Sequence, residues 1–275
     1  MALAVEQIRR MRGGAQSHLM RCSDGSYYVV KFQNNPQGLR VLANELLGTR
    51  LSARLGLRVP RPEVIEVREE LIANTEDLVI QLGRGRAPCW PGKQFGSRYP
   101  GHPADTAVYD FLPDEQLRQV PNLADFQGML VFDKWTCNTN GRQAIFYRDA
   151  GAGGAAQGAA NDPARYCAEM IDNGFCFNAG EWNFPDAPLR GLYARHRVYE
   201  SVRGIECFAG WLERVERITE STLEEIYGEI PPEWYEDDAD AIEKMLEQLL
   251  RRRKLVRELI VSAWKSSAQP FPNWR

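Results

Sequence analysis

Residues 129–177 constrain this chain more than any other stretch. The first part reads MLVFDKWTCNTNGRQAIFYR and the last YCAEMIDNGFCF. Each holds a short apolar strand with polar residues at one end. Asn138, Asn140, Arg142 and Gln143 form a polar turn just ahead of the apolar residues 144–147. Asp172 follows Met170 and Ile171 and precedes Asn173-Gly174. The intervening AGAGGAAQGAAND is too small and polar to build a core. Two such strands, side by side, would set the polar turn next to an Asp-x-Gly turn.

Size and composition narrow the classes. The chain has 275 residues, enough for one large domain or two lobes sharing a cleft. Its hydrophobic fraction of 44% is that of a globular protein. A net charge of −3 gives no basic field for nucleic acid. No run of about 18 apolar residues is present, so no membrane partner is expected. The N-terminal MALAVEQIRRM lacks the apolar core and cleavage site of a secretory signal. The six cysteines form no Cys-x-x-Cys pair and the three histidines no metal motif, so zinc is not expected. Reduced cysteines at this length fit a cytoplasmic protein.

Along the chain, residues 5–11 read as a short helix or strand. A turn follows at Gly13-Gly14-Ala15-Gln16-Ser17-His18. Residues 18–22 and 27–32 are strands joined by a Ser23-Asp24-Gly25-Ser26 turn, and the second carries Lys31 near its end. Residues 39–55 form an amphipathic helix with Glu45 on its apolar face, closed by Gly56. A buried-face carboxylate is costly unless paired, and Lys31 is the obvious partner. Residues 64–67 and 77–82 read as further strands. Residues 83–103, rich in Gly, Pro and Arg, read as a surface loop and a lobe boundary, with Trp90, Phe95 and Tyr99 expected to pack back or line a cleft. A buried helix is expected over 125–136, an irregular aromatic stretch over 177–192, and helices over 206–217, 222–227 and 238–262. The basic run at residues 251–254 reads as a solvated helix face.

Two constellations carry chemistry. Backbone N–H groups around Gly13, Gly14, Ala15, Gln16 and Ser17 can cradle phosphate oxygens, with Lys31 on the inner phosphates and Glu45 holding Lys31. Asp172 suits a Mg²⁺ ligand, beside a polar turn that orients an acceptor hydroxyl. Each feature alone also suits ordinary turns and surface charges. The order is more informative: Gly-containing hairpin, strand Lys, helix Glu, helical half, polar turn, Asp-x-Gly. That is the order of a two-lobed kinase.

The segments VVKFQNNPQG, ANELLGTRLSARLGLRVP, VFDKWTCNTNGRQAIF and MIDNGF resemble the HipA-like kinases, which share the protein-kinase and phosphatidylinositol-kinase fold. The resemblance implies an α+β, two-lobed kinase-like fold. Residues 1–85 would be an antiparallel β lobe with one main helix, and 86–275 a mostly helical lobe. It also implies ATP and Mg²⁺ as cofactors and γ-phosphate transfer to a hydroxyl on a protein Ser or Thr. Gly14 to His18 would be the phosphate loop, Lys31 the phosphate-binding lysine and Glu45 its partner. Gln81 would lie in a hinge over residues 81–86 that meets adenine. Asp172 would bind metal. A protein substrate or partner is expected with ATP.

The family's catalytic loop has Asn-x-Asp, an Arg or equivalent, then an Asn that binds metal. Here the stretch is Asn138-Thr139-Asn140-Gly141-Arg142-Gln143. Asn140 stands at the catalytic Asp position, Arg142 follows, and Gln143 takes the metal-binding amide's place. An amide cannot take up a hydroxyl proton as a carboxylate does. Three readings stay open: an introduced Asp→Asn change, a natural pseudokinase that recognises a partner, or a shifted register. In the shifted register Asp133 is the base and Asn138 the metal ligand. A small molecule is an alternative acceptor.

Overall fold

The computed structural model describes residues 1–148 and 166–275. The AGAGGAAQGAAND stretch lies outside the described residues. β1 (Ala2–Arg10) is a strand throughout, paired antiparallel with β2 (His18–Cys22), which pairs with β3 (Tyr27–Lys31). The β2–β3 turn places Gly25 at φ +77°, and Asp24 Oδ1 accepts the Ser26 N–H at 2.9 Å. α1 (Arg40–Arg54), β4 (Pro62–Val67) and the short α2 (Glu69–Ala73) follow. Next come β5 (Val79–Leu82), β6 (Gly85–Pro88) and β7 (Gly92–Arg98). Strands β1-β2-β3-β7-β4 close into a barrel, sealed by a parallel β1–β4 pairing at Ala2↔Ile65. β5 and β6 form a separate hairpin.

This corrects the reading of residues 83–103 as a surface loop. β7 is a central barrel strand, paired with β3 through Val29↔Ser97 and with β4 through Val64↔Phe95. Its sequence, GKQFGSR, hides the strand because a glutamine and two glycines stand where apolar residues usually do. Gln94 is fully buried, yet its amide accepts the Gln33 N–H at 2.8 Å and donates to Trp90 O at 2.9 Å. Gly96 leaves room for Ile65, whose Cγ1 would lie 2.4 Å from a Cβ at that position. The division expected between residues 85 and 86 falls inside β6, and a lobe boundary after Arg98 fits the pairing.

The second lobe starts with β8 (Val108–Tyr109), the short α3 (Asp114–Leu117) and α4 (Asp125–Thr136). β9 (Gln143–Arg148) and β10 (Tyr166–Ile171) join β8 in a three-stranded sheet of order β10-β9-β8. The Ile171↔Gln143 register sets the polar turn before β9 beside Asp172 after β10, as the sequence requires. Helices α5 (Ala209–Glu216), α6 (Glu220–Tyr227), α7 (Ala239–Arg252) and α8 (Val256–Trp264) complete it. The single helix expected over 238–262 is broken between α7 and α8. Arg252, read as a solvated charge, is buried there, donating to Asp186 Oδ2 at 2.8 Å and Trp135 O at 3.0 Å.

Two cores result. One fills the barrel with Met20, Tyr28, Val30, Phe32, Ile65 and Val67. The larger one packs α4 residues Met129, Leu130, Phe132 and Trp135 against α1 residues Leu42, Leu46, Leu47 and Leu51. α1 therefore belongs by packing to the second lobe's core. It ends at Gly56, at φ +79°, which lets the Leu57 N–H reach Ser52 O at 3.1 Å. No helix among the described residues is long and apolar enough to cross a membrane.

Because Gly96 supplies the space that Ile65 fills, Gly96→Ala is expected to overpack the barrel. Urea unfolding should show a loss of about 1–3 kcal/mol; unchanged stability would mean that β7 sits elsewhere.

Candidate active site

The site is assembled around one ammonium group. Lys31, the last residue of β3, points out of the barrel and forms an ion pair with Glu45 of α1. The same Nζ lies 2.8 Å from Asp172 Oδ1. Glu45 in turn accepts the Asn173 N–H through Oε2 at 3.0 Å. Asp172 sits in the left-handed region at φ +63°, a strained position for a residue with a side chain. Gly174 allows α1 to come close: a Cβ there would lie 2.6 Å from Val41 Cγ1. Asn44, beside Glu45, donates to the carbonyls of Gly174, Cys176 and Ala179 at 2.9, 3.1 and 2.7 Å and accepts Trp182 Nε1 at 2.8 Å. Helix and loop are thus stitched together around the triad.

One lysine serves two carboxylates. Burial alone would lower the Lys31 pKa, but the charges of Glu45 and Asp172 reverse this and hold it above the ordinary lysine range. Burial pushes Asp172 up, and the Lys31 charge and hydrogen bond outweigh it, so Asp172 stays below the usual carboxylate value. Glu45 is held above its usual value by burial, which Lys31 offsets only in part, with Asp172 adding to the rise. A triad of net negative charge attracts a further cation.

A second buried pair lies beneath. Arg142 and Asp133 have fully buried side chains and form an ion pair, with Arg142 Nε 2.9 Å from Asp133 Oδ2. Asn138 Nδ2 donates to Asp133 Oδ1 at 3.0 Å. Arg142 Nη1 reaches Ile171 O at 2.6 Å and Asp172 O at 3.2 Å, holding the turn that carries Asp172. Asp133 and Arg142 are therefore scaffold beneath the cavity, not part of its lining, and the shifted register with Asp133 as base finds no support. Asn140 does line the cavity. Its Oδ1 accepts the Gly141 N–H at 2.9 Å, which leaves its amide NH₂ group free of protein partners among the described residues. Gln143 Nε2 donates to Asp172 Oδ2 at 2.6 Å.

The cavity, about 310 Å³, lies between the barrel and the β8–β10 sheet. Its roof is the loop at residues 11–15 with Ser17, its back Lys31, Glu45 and Asp172, and its floor Asn140, Gln143 and Ile145. Gly14, Ala15, Ser17, Lys31 and Glu45 line it as expected, whereas Gln16, His18 and Gln81 do not. Gln16 and Gln81 bond each other: Gln16 Nε2 to Gln81 O at 2.9 Å and Gln81 N to Gln16 Oε1 at 2.7 Å. The β5–β6 hairpin thus buttresses the loop from outside, and residues 81–86 are not the hinge. The chain crosses between lobes past Ser97, Arg98, Tyr99 and Pro100, which line the cavity instead. Phe95 and Tyr99 line it as their aromatic character suggests, whereas Trp90 does not. His18 is fully buried in the barrel, its ring edge-on to Phe32.

The oxygen donors facing the cavity fit a hard divalent cation. Asp172 supplies a carboxylate, and Asn140 and Gln143 supply amides. Among the described residues no group of three His, Cys, Asp or Glu converges. Phosphate oxygens of a bound nucleotide would have to complete the coordination, as is usual for Mg²⁺.

A family model described as HipA-like kinase matches residues 4–145. The chain belongs to the HipA-like kinases. The match spans the barrel, α1, α4 and the Asn140 turn and stops before Asp172. No curated protein gave a significant match. Among solved structures, a Helicobacter pylori proinflammatory kinase, CtkA, is 14% identical with TM-score 0.56, covering 95% of this chain and 96% of that one. The Golgi casein kinase is 12% identical with TM-score 0.52, covering 98% and 75%. The same kinase with Mn/ADP bound is 11% identical with TM-score 0.51, covering 97% and 73%. At these identities the likeness establishes the kinase-like fold, with a strand-rich first lobe and a helical second lobe. Fold and family together support a kinase-type phosphotransferase.

His18 is a pH-sensitive group in the barrel of this HipA-like chain. Burial, reinforced by the Arg10 charge, lowers the His18 pKa from 6.5 to about 4, against a Val79 backbone hydrogen bond and Asp77. The unfolded chain therefore binds a proton that the folded chain refuses. Stability is full above about pH 6.5 and falls by up to about 3 kcal/mol as pH drops towards 4. In His18→Gln, denaturant titrations between those pH values should lose this slope; a parallel slope in both proteins refutes the assignment.

Proposed function

We propose that this HipA-like kinase binds ATP with Mg²⁺ in the inter-lobe cavity and transfers the γ-phosphate to a hydroxyl on a protein Ser or Thr, slowly. The convergence of Lys31, Glu45 and Asp172 under a glycine-containing loop carries this reading. Lys31 has three N–H bonds and uses two on the carboxylates, which leaves one for an inner phosphate. Glu45 fixes its direction. Gly13, Gly14, Ala15 and Ser17 line the same volume, and backbone N–H groups of such a loop suit phosphate oxygens. When bound, Mg²⁺ held by Asp172 and Gln143 supplies neutralisation of the phosphate charge.

Asn140 limits the chemistry. Among the described residues lining the cavity, the carboxylates are Glu45 and Asp172, and both are bound to Lys31. Neither is a free base for an acceptor hydroxyl, and the Asn140 amide cannot become one. This favours a second reading: a nucleotide-binding pseudokinase that acts by recognising a protein partner.

Two measurements separate the readings. MgATP at about a hundred times its Kd should stabilise the chain by about 2.7 kcal/mol, a midpoint rise of roughly 5–10 °C. Lys31→Ala should abolish that increment. No rise with the parent protein at millimolar MgATP removes the nucleotide reading. Asn140→Asp should raise ATP turnover by about 10²-fold, the contribution of a positioned general base. Binding with unchanged turnover in that variant decides for the pseudokinase.

A further inference from the structure

Gln37 stands in the segment VVKFQNNPQG with no role given to it above, yet it lines the cavity beside the glycine-containing loop. It comes from the short connection between β3 and α1, and that connection is rigid. Asn35, 5% exposed, accepts the Gln37 N–H at 2.9 Å and donates to Phe32 O at 2.8 Å. Gly38 closes the turn at φ +99°. The glutamine amide packs directly onto Gly14: a Cβ there would lie 3.0 Å from Gln37 Nε2. Gln37 Oε1 is buried and has no hydrogen-bond partner. A buried amide oxygen without a donor is rare in folded proteins and calls for an explanation.

Resting on the nucleotide reading above, we infer that Gln37 is a phosphate-binding residue that clamps the loop onto the nucleotide. The amide presents a donor at one end and an acceptor at the other, and a half-turn about its last bond exchanges them. A triphosphate offers only acceptor oxygens. With nucleotide beneath Gly14, Nε2 turns to a non-bridging phosphate oxygen, and Oε1 accepts a backbone N–H of the loop. The bond that Oε1 lacks is made only when phosphate is present. Gln37 thus ties together three parts: the loop, the ligand and, through Asn35, the entrance to α1. A side chain at position 14 would press on that amide and compete with it for the space above the cavity. Glutamate here would set a carboxylate against the phosphates.

The test compares adenosine with MgATP by isothermal titration calorimetry on the parent chain, Gln37→Ala and Gln37→Glu. Losing a hydrogen bond to a charged phosphate should weaken MgATP about tenfold in Gln37→Ala, and more in Gln37→Glu, with adenosine affinity unchanged. If Gln37→Ala also lowers the thermal midpoint, the near-isosteric Gln37→Glu carries the comparison. MgATP binding equal to the parent's in both variants overturns the assignment and leaves the nucleotide reading standing. An equal loss for adenosine and MgATP also overturns it, because Gln37 then only shapes the loop. A parent chain that binds neither ligand overturns the nucleotide reading and this assignment together.

Discussion

The sharing of Lys31 between Glu45 and Asp172 is the constraint from which the rest of the molecule follows. Three elements far apart in sequence, β3, α1 and the end of β10, must meet at one nitrogen. Burying those charges is tolerable only because each is paired and hydrogen-bonded. The barrel holds the lysine, the larger core holds α1, and the Arg142–Asp133 pair holds the backbone under Asp172. Each part of the fold delivers one member of the triad.

That division explains what could be seen in the sequence. Lys31, Glu45 and Asp172 were legible because each interrupts an apolar pattern, where an unpaired charge would be costly. The β9–β10 pairing was legible from strand propensity with polar turns at matching ends. β7 was not, because its core-facing Gln94 is satisfied by the Trp90 and Gln33 backbone and so mimics a loop residue. Without β7 the hinge falls at residues 81–86, although the aromatic residues Phe95 and Tyr99 already mark this stretch as lining a cleft. His18 was misassigned for a related reason. A polar residue at the end of a glycine-containing turn reads as a ligand contact, and only the closed barrel shows that its ring is interior. The burial of Arg252 at the end of α7 rests on Asp186, a partner distant in sequence that no helical periodicity reveals.

Asp133 and Asn140 are joined by one hydrogen-bonded support through Asn138. The five-residue spacing from Asp133 to Asn138 has the form of a catalytic pair, but its geometry is that of a strut: Asn138 donates to Asp133, and both oxygens of Asp133 face Arg142. The strut positions Asn140 through the Asn138 side chain, which accepts the Asn140 N–H at 3.1 Å. An Asp at 140 would sit on the same support. The scaffold is therefore indifferent to whether residue 140 carries an amide or a carboxylate.

α1 is held on both of its faces. In kinases, the position of the helix bearing the lysine's glutamate partner governs activity. Here that helix has little freedom. Its apolar face lies in the second lobe's core, and Asn44 and Glu45 bond the loop after Asp172. On its outer side Arg50 pairs with Glu229 at 2.8 Å, Arg54 with Glu225 at 2.6 Å and Arg40 with Asp238 at 3.2 Å. Each exposed pair alone is weak, but three along one helix resist the same motion. Moving Glu45 away from Lys31 would break all of these contacts at once and leave the ammonium short of charge compensation. The assembled triad is thus the low-energy arrangement of the protein itself, held from both faces of α1.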